Sequence, residues 1–431
     1  MNSVPREQYF TPQTAAAVPQ QAVVIGGGIV GTCCALYLQR SGFKVTLIDP
    51  AAPGDSTAKW SCGQISVGEI IPLSKPGILL KVPGWLMDQE GPLALRPSAL
   101  PGIVPWFLRF LSCARQSKIV DIATAMASLT SDVFADYANL LDSIDDDTLI
   151  GQRPILEVFD SAAGVEHERP HIELRKSLGF DTQIIGRAEI DDLEPALKGR
   201  FSHGFLLPQW RFVSDTEAFL KALTENFVTN GGRRVRSAAT RINEDAGQAT
   251  GVTLDNGESL PAAHVVLAAG AGSRRFFSQL AVNAPLEAVA GYQVLVRNPE
   301  VEFKHSVIYA DGGFCFTPML RGLQIGGTIE FAGRNAKPNF RRAEIILAKA
   351  KKVLPELNTA KHEFGVGYRP FLPDTKPIID RSKRLPNVLL ALGHGQLGLT
   401  LGATTGRLIA DLASGRTPKQ DLTPFSARRF G

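Results

Sequence analysis

The chain has 431 residues, of which 44% are hydrophobic and 20% charged, so it carries enough apolar side chain to fill more than one core. Its 46 Lys and Arg against 42 Asp and Glu give a net charge of +4, spread without blocks, which argues against a nucleic-acid partner. No stretch approaches the roughly 18 consecutive apolar residues of a membrane-spanning helix. These values predict a globular protein of more than one domain, and residues 1–19, which lack the apolar core of a secretion signal, are expected to form a flexible arm.

Cysteine is sparse, and no pair has the two-residue spacing of zinc or redox motifs. We therefore expect a reducing, cytoplasmic compartment, no disulfide framework and no metal site. The five cysteines are Cys33, Cys34, Cys62, Cys113 and Cys315.

The first ordered segment predicts a βαβ unit. Residues 22–25 form an apolar run typical of a strand, three glycines follow, and residues 29–40 have helical character. A second strand over 44–48 ends at Asp49 and Pro50. These roughly thirty residues thus predict one strand–turn–helix–strand crossover.

The turn in this unit matches the dinucleotide-binding pattern G-x-G-x-x-G in its required context, with Ile29 and Val30 inside the motif. Gly26 permits the tight turn, Gly28 lets the backbone approach a pyrophosphate, and Gly31 lets the helix lie close to the strand. Asp49 stands where an acid would accept hydrogen bonds from an adenosine ribose, which disfavours NADP. FAD and NAD share this pattern, so the choice between them stays open at this point.

The rest of the chain contains further predicted helices, strands and turns. Residues 78–110 are apolar but broken by prolines, which excludes one long helix. Helical spacing is present over 119–143, 216–228 and 341–354, a hairpin signal lies at 251–260, and a strand over 264–268 runs into the turn 269–272. Strand-like runs at 294–296 and 323–325 precede a glycine-rich turn at 393–402 that opens the final helix.

Glycine-rich turns near both ends predict one nucleotide-binding domain assembled from separate segments. We expect an α/β fold in which residues 20–70, 210–280 and 360–425 form a Rossmann-like domain. Residues 71–209 and 281–359 are expected to form an inserted α+β domain built on a mainly antiparallel sheet.

At this point the sequence resembles the D-amino-acid oxidase superfamily of FAD enzymes, and within it the bacterial D-amino-acid dehydrogenases. The resemblance rests on four stretches in matching order: VVIGGGIVG with VTLIDP, residues 61–66 (SCGQIS), residues 367–370 (GYRP) with 393–400 (GHGQLGLT), and the more generic VVLAAGAGS at 265–273. It implies that the Rossmann-like domain binds FAD, non-covalently, since no cysteine falls where it would clearly anchor the flavin.

The resemblance also implies roles for particular residues. Arg369 would pair with the substrate carboxylate in two-pronged geometry. Tyr292 and Tyr309 are candidates to line the substrate pocket, with a place in the core as the alternative for each. The predicted cofactor-binding residues are Gly26, Gly28, Ile29, Val30, Gly31, Asp49, Pro50, Cys62, Gly63, Gln64, Ile65, Val235, Ala269, Gly270, Gly393, His394, Gly395, Gln396, Leu397, Gly398, Leu399 and Thr400.

The activity that the resemblance implies is oxidative deamination of D-amino acids by hydride transfer from Cα to flavin N5. Electrons would then pass to a quinone or another carrier, and no residue is assigned as a general base. The alternatives are a dehydrogenase of cis-4-hydroxy-D-proline and a flavin subunit of a larger amine dehydrogenase. The apolar segment 78–110 either rests on the inner face of the cell membrane or is a buried part of the inserted domain.

Overall fold

The protein is described here from a computed structural model, which covers residues 20–75, 90–91, 93–96, 99–144, 149–333 and 336–431. The predicted arm 1–19 and residues 78–89, 92 and 97–98 of the apolar segment lie outside these described residues. None of the helices in the described ranges combines the length and apolar character needed to span a bilayer.

The α-helices of the described residues are α1 (Ile29–Arg40), α2 (Leu100–Ser112), α3 (Gln116–Thr130), α4 (Val133–Leu141), α5 (Ala162–Ser177), α6 (Arg187–Leu193), α7 (Thr216–Thr229), α8 (Phe277–Leu280), α9 (Arg341–Val353) and α10 (Gly398–Ala413). Short 3-10 helices span Thr57–Trp60, Pro195–Leu197, Gly270–Phe276, Thr423–Phe425 and Ala427–Phe430.

The strands are β1 (Gln21–Ile25), β2 (Lys44–Ile48), β3 (Gln64–Ile65), β4 (Leu93–Leu95), β5 (Ile155–Phe159), β6 (Gln183–Gly186), β7 (His203–Leu207), β8 (Arg211–Phe212), β9 (Arg233–Val235), β10 (Ala239–Asp245), β11 (Gln248–Leu254), β12 (Ser259–Pro261), β13 (His264–Leu267), β14 (Glu287–Val296), β15 (Ser306–Tyr309), β16 (Phe314–Met319), β17 (Gly322–Phe331), β18 (His362–Phe371), β19 (Ile378–Arg381) and β20 (Val388–Leu392).

A six-stranded sheet carries the predicted nucleotide-binding unit. Its order is β19-β20-β13-β1-β2-β9, and the pairings from β20 to β9 are all parallel. The strand β1 is buried along nearly its whole length, as expected for a parallel strand with both faces covered. Helices α1 and α10 pack tightly at small residues, because a Cβ on Gly406 would stand 2.6 Å from the carbonyl oxygen of Cys33.

The second large sheet has the order β18-β14-β17-β16-β15-β5-β7-β6, with β4 paired to the end of β17. Its pairings are antiparallel except for β15 with β5 and β17 with β4. One face packs on α9 around Tyr292 and Phe316. The expected α/β fold with a mainly antiparallel second sheet is therefore confirmed.

The strand pairing corrects one predicted domain boundary. Strand β18 pairs with β14 over ten positions, from Glu287 opposite Phe371 to Val296 opposite His362. Residues 362–371 therefore belong to the larger sheet, although the range 360–425 was expected in the Rossmann-like domain. Helices α3 and α4 lie within the range 71–209 that was expected in the inserted domain. Their apolar faces nevertheless share a core with α1 and α10 of the Rossmann-like domain.

Candidate active site

A cleft of about 390 Å³ opens where the parallel strands end. Residues that directly follow β1, β2, β13 and β20 line one side of it, and the end of β18 lines the other. We call it the central cleft. Ligands of open parallel sheets bind at this edge, because the loops there diverge and helix N-termini point into the gap. The volume lies within the range of ordinary ligand sites.

The glycine motif shapes one end of the central cleft. Gly26 has φ +109°, which glycine adopts readily, and a Cβ there would meet the Ala268 carbonyl oxygen at 2.5 Å. A Cβ on Gly31 would stand 1.8 Å from the carbonyl oxygen of Gly26, so only glycine lets α1 begin this close to β1. A Cβ on Gly28, in contrast, would meet no protein atom within 4 Å, because this position faces the open cleft.

This end of the cleft is suited to an anion. Helix α1 begins after Gly28 with no side-chain cap and no acidic residue in its first turn. Its unpaired N–H groups and the positive end of its dipole therefore face the open space. A phosphate fits there without any rearrangement.

Asp49 is fixed at the end of β2 beside the glycine turn. One carboxylate oxygen accepts a hydrogen bond from the backbone N–H of Gly27 at 2.6 Å, and the other accepts from that of Ala51 at 2.8 Å. A carboxylate offers about four lone-pair positions, so both oxygens keep capacity for a further donor. Asp49 and Pro50 line the cleft, as the ribose role requires.

The glycine-rich turn before α10 forms the opposite end of the cleft. The backbone N–H of Gly395 donates to the carbonyl oxygen of Pro370 at 2.9 Å, which joins this turn to the strand that carries Arg369. Gly393 approaches closely too, since a Cβ there would meet the Leu372 side chain at 2.2 Å. Helix α10 then begins without a side-chain cap, so a second helix N-terminus faces the cleft.

His394 lies within this turn and lines the cleft, and its side chain is buried. Its Nε2 lies 2.9 Å from the hydroxyl of Thr405, and burial lowers the pKa of its imidazole to about 3. An imidazole with so low a pKa is a weak proton acceptor at neutral pH. Its part in the site is to hold the turn in position.

Arg369 extends from β18 to the cleft, and a glycine on the neighbouring strand leaves room for its guanidinium. A Cβ on Gly291 of the neighbouring strand would stand 2.4 Å from the guanidinium carbon, so the arginine lies directly over that residue. In the described part of the chain its polar neighbours are the thiols of Cys62 and Cys315, and no carboxylate pairs with it. Burial lowers the pKa of Arg369 and the thiols oppose that shift, yet a guanidinium remains protonated at neutral pH.

The loop 61–66 covers the sheet face beside Arg369. Cys62 donates from Sγ to the side-chain oxygen of Gln293 at 3.4 Å, and Gln64 donates from Nε2 to the hydroxyl of Ser306 at 2.9 Å. These contacts fasten the loop to the larger sheet. Thus Cys62, Gly63, Gln64 and Ile65 border the cleft as a supporting layer, while the adjoining Ser61 lines it.

The structure corrects the predicted pocket role of Tyr292 and Tyr309, because neither residue lines the cleft. Tyr292 is fully buried and donates to Glu330 at 2.5 Å, while Tyr309 donates to Asp160 at 2.8 Å. Both rings belong to the core around α9 on the far face of the sheet. For Tyr292 the reason is the alternation of side chains along a strand. Its neighbours on β14, Gly291 and Gln293, take the face that bears Arg369, so Tyr292 takes the opposite face.

The predicted cofactor residues divide into two groups. Those lining the cleft are Gly26, Gly28, Ile29, Val30, Asp49, Pro50, Ala269, Gly270, Gly393, His394, Gly395, Gln396, Gly398 and Leu399. Gly31, Val235, Leu397 and Thr400 lie just behind it. Val235, for example, accepts a hydrogen bond from the Asp49 backbone N–H at 3.1 Å, and the Thr400 hydroxyl accepts from the Ser66 backbone N–H at 3.0 Å.

Sequence reasoning missed several lining residues. They are mainly the segment Thr57–Trp60, Ser237, and Arg275, which follows the turn after β13. None of these stands in a recognisable motif. The signal that could have found them is positional, since each follows a strand or helix of the nucleotide-binding unit on the same edge.

Fold and site together define a dinucleotide-dependent oxidoreductase with a cationic side chain beside the cofactor cleft. Residues 21–412 match the family described as FAD dependent oxidoreductase, DAO, and the chain belongs to that family. A "D-amino-acid oxidase" from Bradyrhizobium diazoefficiens is 33% identical over 418 residues, covering 95% of this chain and 99% of that protein. A "D-amino acid dehydrogenase" from the same organism is 28% identical over 425 residues, covering 95% and 99%.

Among solved structures, iminodiacetate oxidase from Chelativorans sp. BNC1 superposes with a TM-score of 0.72 at 18% identity, covering 94% of this chain and 98% of the other. At this identity the likeness concerns the fold. The expected family and the expected cofactor FAD are confirmed, and the cleft fits that cofactor. Gly28 would leave room for the pyrophosphate, Asp49 would accept hydrogen bonds from the ribose, and the N-terminus of α10 would offer a second set of backbone donors to the flavin.

Proposed function

We propose that this enzyme oxidises D-amino acids to 2-oxo acids and ammonia, and passes the electrons to a quinone or another carrier. The observation that carries the proposal is the guanidinium of Arg369 at the edge of the cofactor cleft, which has no carboxylate partner among the residues that the structure describes. A half-buried cation without a partner is costly unless its ligand supplies the opposite charge. A carboxylate in bidentate contact satisfies that requirement, and every amino acid carries one.

The reaction depends more on the orientation of the substrate than on acid–base catalysis. FAD, when bound, would supply the two-electron acceptor for this chemistry: the amino acid would lose a hydride from Cα and a proton from the amine, and water would hydrolyse the resulting imino acid to the 2-oxo acid and ammonia. The chain itself would hold the carboxylate at Arg369, while Cys62 and Gln64 fasten the loop 61–66 to the sheet beside it. No carboxylate pairs with Arg369 among the described residues, so a substrate carboxylate meets no competing anion.

The preference for D-amino acids is supported by the relatives named D-amino-acid oxidase and D-amino acid dehydrogenase, which align over nearly the whole chain. The name of the first makes molecular oxygen a second candidate acceptor. Use of a membrane quinone would place the enzyme on the inner face of the cell membrane. Helix α2 offers exposed apolar side chains for such a contact, with Val104 47% and Leu108 64% exposed.

The test is anaerobic reduction of the bound flavin by a panel of amino acids, followed in the visible spectrum. We expect bleaching by D-alanine, D-leucine or D-phenylalanine and none by their L-enantiomers. A flavin that stays oxidised with every D-amino acid, or bleaches equally with the L-series, would refute the proposal. Including cis-4-hydroxy-D-proline separates linear from cyclic substrates.

The acceptor is identified by a second pair of assays on the same protein. A carrier-linked enzyme reduces an artificial quinone or dye quickly and forms little hydrogen peroxide in air. Fast peroxide formation at the rate of substrate oxidation would assign the acceptor to oxygen. Lack of turnover with any dye would indicate that the chain needs a further subunit.

A further inference from the structure

Two cysteines from distant parts of the chain meet beside Arg369. Cys62 lies in the loop 61–66, and Cys315 lies on β16 of the larger sheet. The thiol of Cys62 is a hydrogen-bond partner of the Cys315 thiol. Both sulfurs also lie close enough to Arg369 to interact electrostatically with its guanidinium. Neither cysteine is in a disulfide, so the pair is present as two thiols.

Strand register explains why the two sulfurs meet. Gln293 of β14 and Cys315 of β16 are both paired with Gly326, one on each side of β17. The Gln293 amide lies over Gly326, where any Cβ would collide with the amide oxygen. Cys62 donates from Sγ to that oxygen at 3.4 Å, and Cys315 donates from Sγ to the Gly326 carbonyl oxygen at 3.3 Å. Gly326 thus leaves the space in which both thiols lie.

The surroundings of this pair favour its oxidation. Cys62 is half-buried and borders the central cleft, whereas Cys315 is buried behind it. A small oxidant that enters the cleft therefore meets Cys62 first. The thiolate is the form of cysteine that peroxides oxidise, and a neighbouring guanidinium such as that of Arg369 stabilises a thiolate. Redox-sensing cysteines combine these features with a second thiol that reacts with the first oxidation product.

We propose that Cys62 and Cys315 are a modification site, at which peroxide joins the two residues in a reversible disulfide that lowers the activity of the enzyme. This regulation rests on the proposed function, because the group beside the disulfide is the substrate anchor Arg369. The oxidant is a hydroperoxide. Transfer of the flavin electrons to oxygen, the second candidate acceptor, would supply hydrogen peroxide at the site itself.

The oxidation proceeds in two balanced steps. Peroxide converts the Cys62 thiol to a sulfenic acid as its O–O bond breaks, and one water leaves. The Cys315 thiol then attacks that sulfur, the S–O bond breaks, and a second water leaves as the S–S bond forms. The two electrons lost by the thiols have gone to peroxide. A dithiol reductant restores both thiols by exchange.

The disulfide should weaken the substrate anchor. Both thiol protons are lost, so the buried Gln293 oxygen and the Gly326 carbonyl each lose a donor. A covalent bond also brings the sulfurs closer than two thiols in contact, which draws the loop 61–66 toward β16. Arg369 lies against this pair, and a displacement of about 1 Å commonly costs about 10²-fold in rate. We expect flavin reduction to slow by a factor of this order.

The test treats the FAD-loaded enzyme with hydrogen peroxide and then removes the excess with catalase. Trypsin is expected to leave Cys62 in the peptide 60–81 and Cys315 in the peptide 305–321. Mass spectrometry should find these peptides joined, with the loss of two hydrogens, and dithiothreitol should separate them. In parallel, anaerobic flavin reduction by a D-amino acid should slow by about 10²-fold and recover with dithiothreitol.

A variant then locates the effect, with each enzyme compared with its own rate before treatment. Cys62→Ser should form no cross-link and should keep its untreated rate after exposure to peroxide. The matched control is Cys113→Ser, which removes another half-buried thiol directly after α2. This control should be inactivated by peroxide and restored by dithiothreitol as the natural enzyme is.

The outcomes separate the two proposals. Failure to find the joined peptides in the natural enzyme, or joined peptides with an unchanged rate of flavin reduction, would overturn the switch. Equal inactivation of Cys62→Ser and the natural enzyme would overturn it as well. If no D-amino acid bleaches the untreated enzyme, the proposed function itself fails, whether or not the peptides are joined.

Discussion

Replacing Gly291 with alanine should disable the substrate anchor without touching the cofactor site. The added methyl would lie 2.4, 2.5 and 2.7 Å from Cζ, Nη2 and Nη1 of Arg369, whereas ordinary contacts begin near 3.4 Å. The guanidinium must therefore move by about 1 Å. A displacement of this size commonly costs about 10²-fold in rate, because the reacting atoms leave their near-attack positions.

The loss of rate in Gly291→Ala should not exceed the loss caused by removing the guanidinium itself. Truncating one partner of a buried charge pair costs about 2–5 kcal/mol, or roughly 30- to 4,000-fold, so Arg369→Ala should be at least as impaired as Gly291→Ala. The assay is stopped-flow reduction of the flavin without oxygen, reported as the limiting rate divided by the substrate Kd. Flavin content and melting temperature are measured in parallel.

The matched control is Gly186→Ala on β6. A Cβ there would meet nothing within 4 Å, and its φ of −102° suits alanine, so this variant should react like the natural enzyme. A Gly291→Ala enzyme with full flavin content and an unchanged reduction rate would refute the seat assigned to Arg369. A loss of flavin along with activity would also contradict it.

Three further predictions concern single residues. Gly28→Ala should fold normally but release FAD, measured by flavin content and circular dichroism, because its methyl meets no protein atom and occupies the phosphate space. Tyr292→Phe should lower the free energy of unfolding by about 1–3 kcal/mol in denaturant titrations, since Glu330 and the Asn339 N–H lose a partner, while flavin reduction stays unchanged. His394 keeps its full contribution above its ordinary pKa of 6.5 and loses it as pH falls toward its folded pKa of about 3. Relative to His394→Gln, the natural protein should therefore lose about 2 kcal/mol of unfolding free energy between pH 6.5 and pH 5.

The nucleotide-binding unit was predictable because its information is local. Gly26, Gly31 and Asp49 lie within about thirty residues, and each answers a geometric demand of one strand–turn–helix crossover. The same holds for the turn 393–398, where glycines precede a helix. In both places the structure confirms the predicted strand and helix, and most of the predicted residues line the central cleft.

The substrate side was harder to predict because it depends on pairing between distant strands. A shift of one residue moves a side chain to the other face of a sheet, which is why Tyr292 and Tyr309 fell on the wrong side. The space that Gly291 leaves for Arg369 appears only once β14 lies beside β18, and the two residues are 78 positions apart in the sequence. Nothing in the local sequence near Gly291 signals this contact.

The packing of helix α2 shows the same limit. Trp106 belongs to a proline-broken apolar segment that the sequence left open between a buried and a membrane-facing role. In the structure Trp106 is buried against Phe331 and Phe110, whereas Leu108 on the same helix is exposed. Only the packing of α2 on the larger sheet decides which side chains fall on which side.

The most direct test of this account is a crystal structure of the FAD-loaded enzyme with benzoate bound. The account predicts that both carboxylate oxygens lie within hydrogen-bond distance, about 2.7–3.2 Å, of the guanidinium nitrogens of Arg369. The ring should lie within the central cleft. Benzoate bound elsewhere, or an Arg369 side chain turned to solvent away from the flavin, would contradict the central claim.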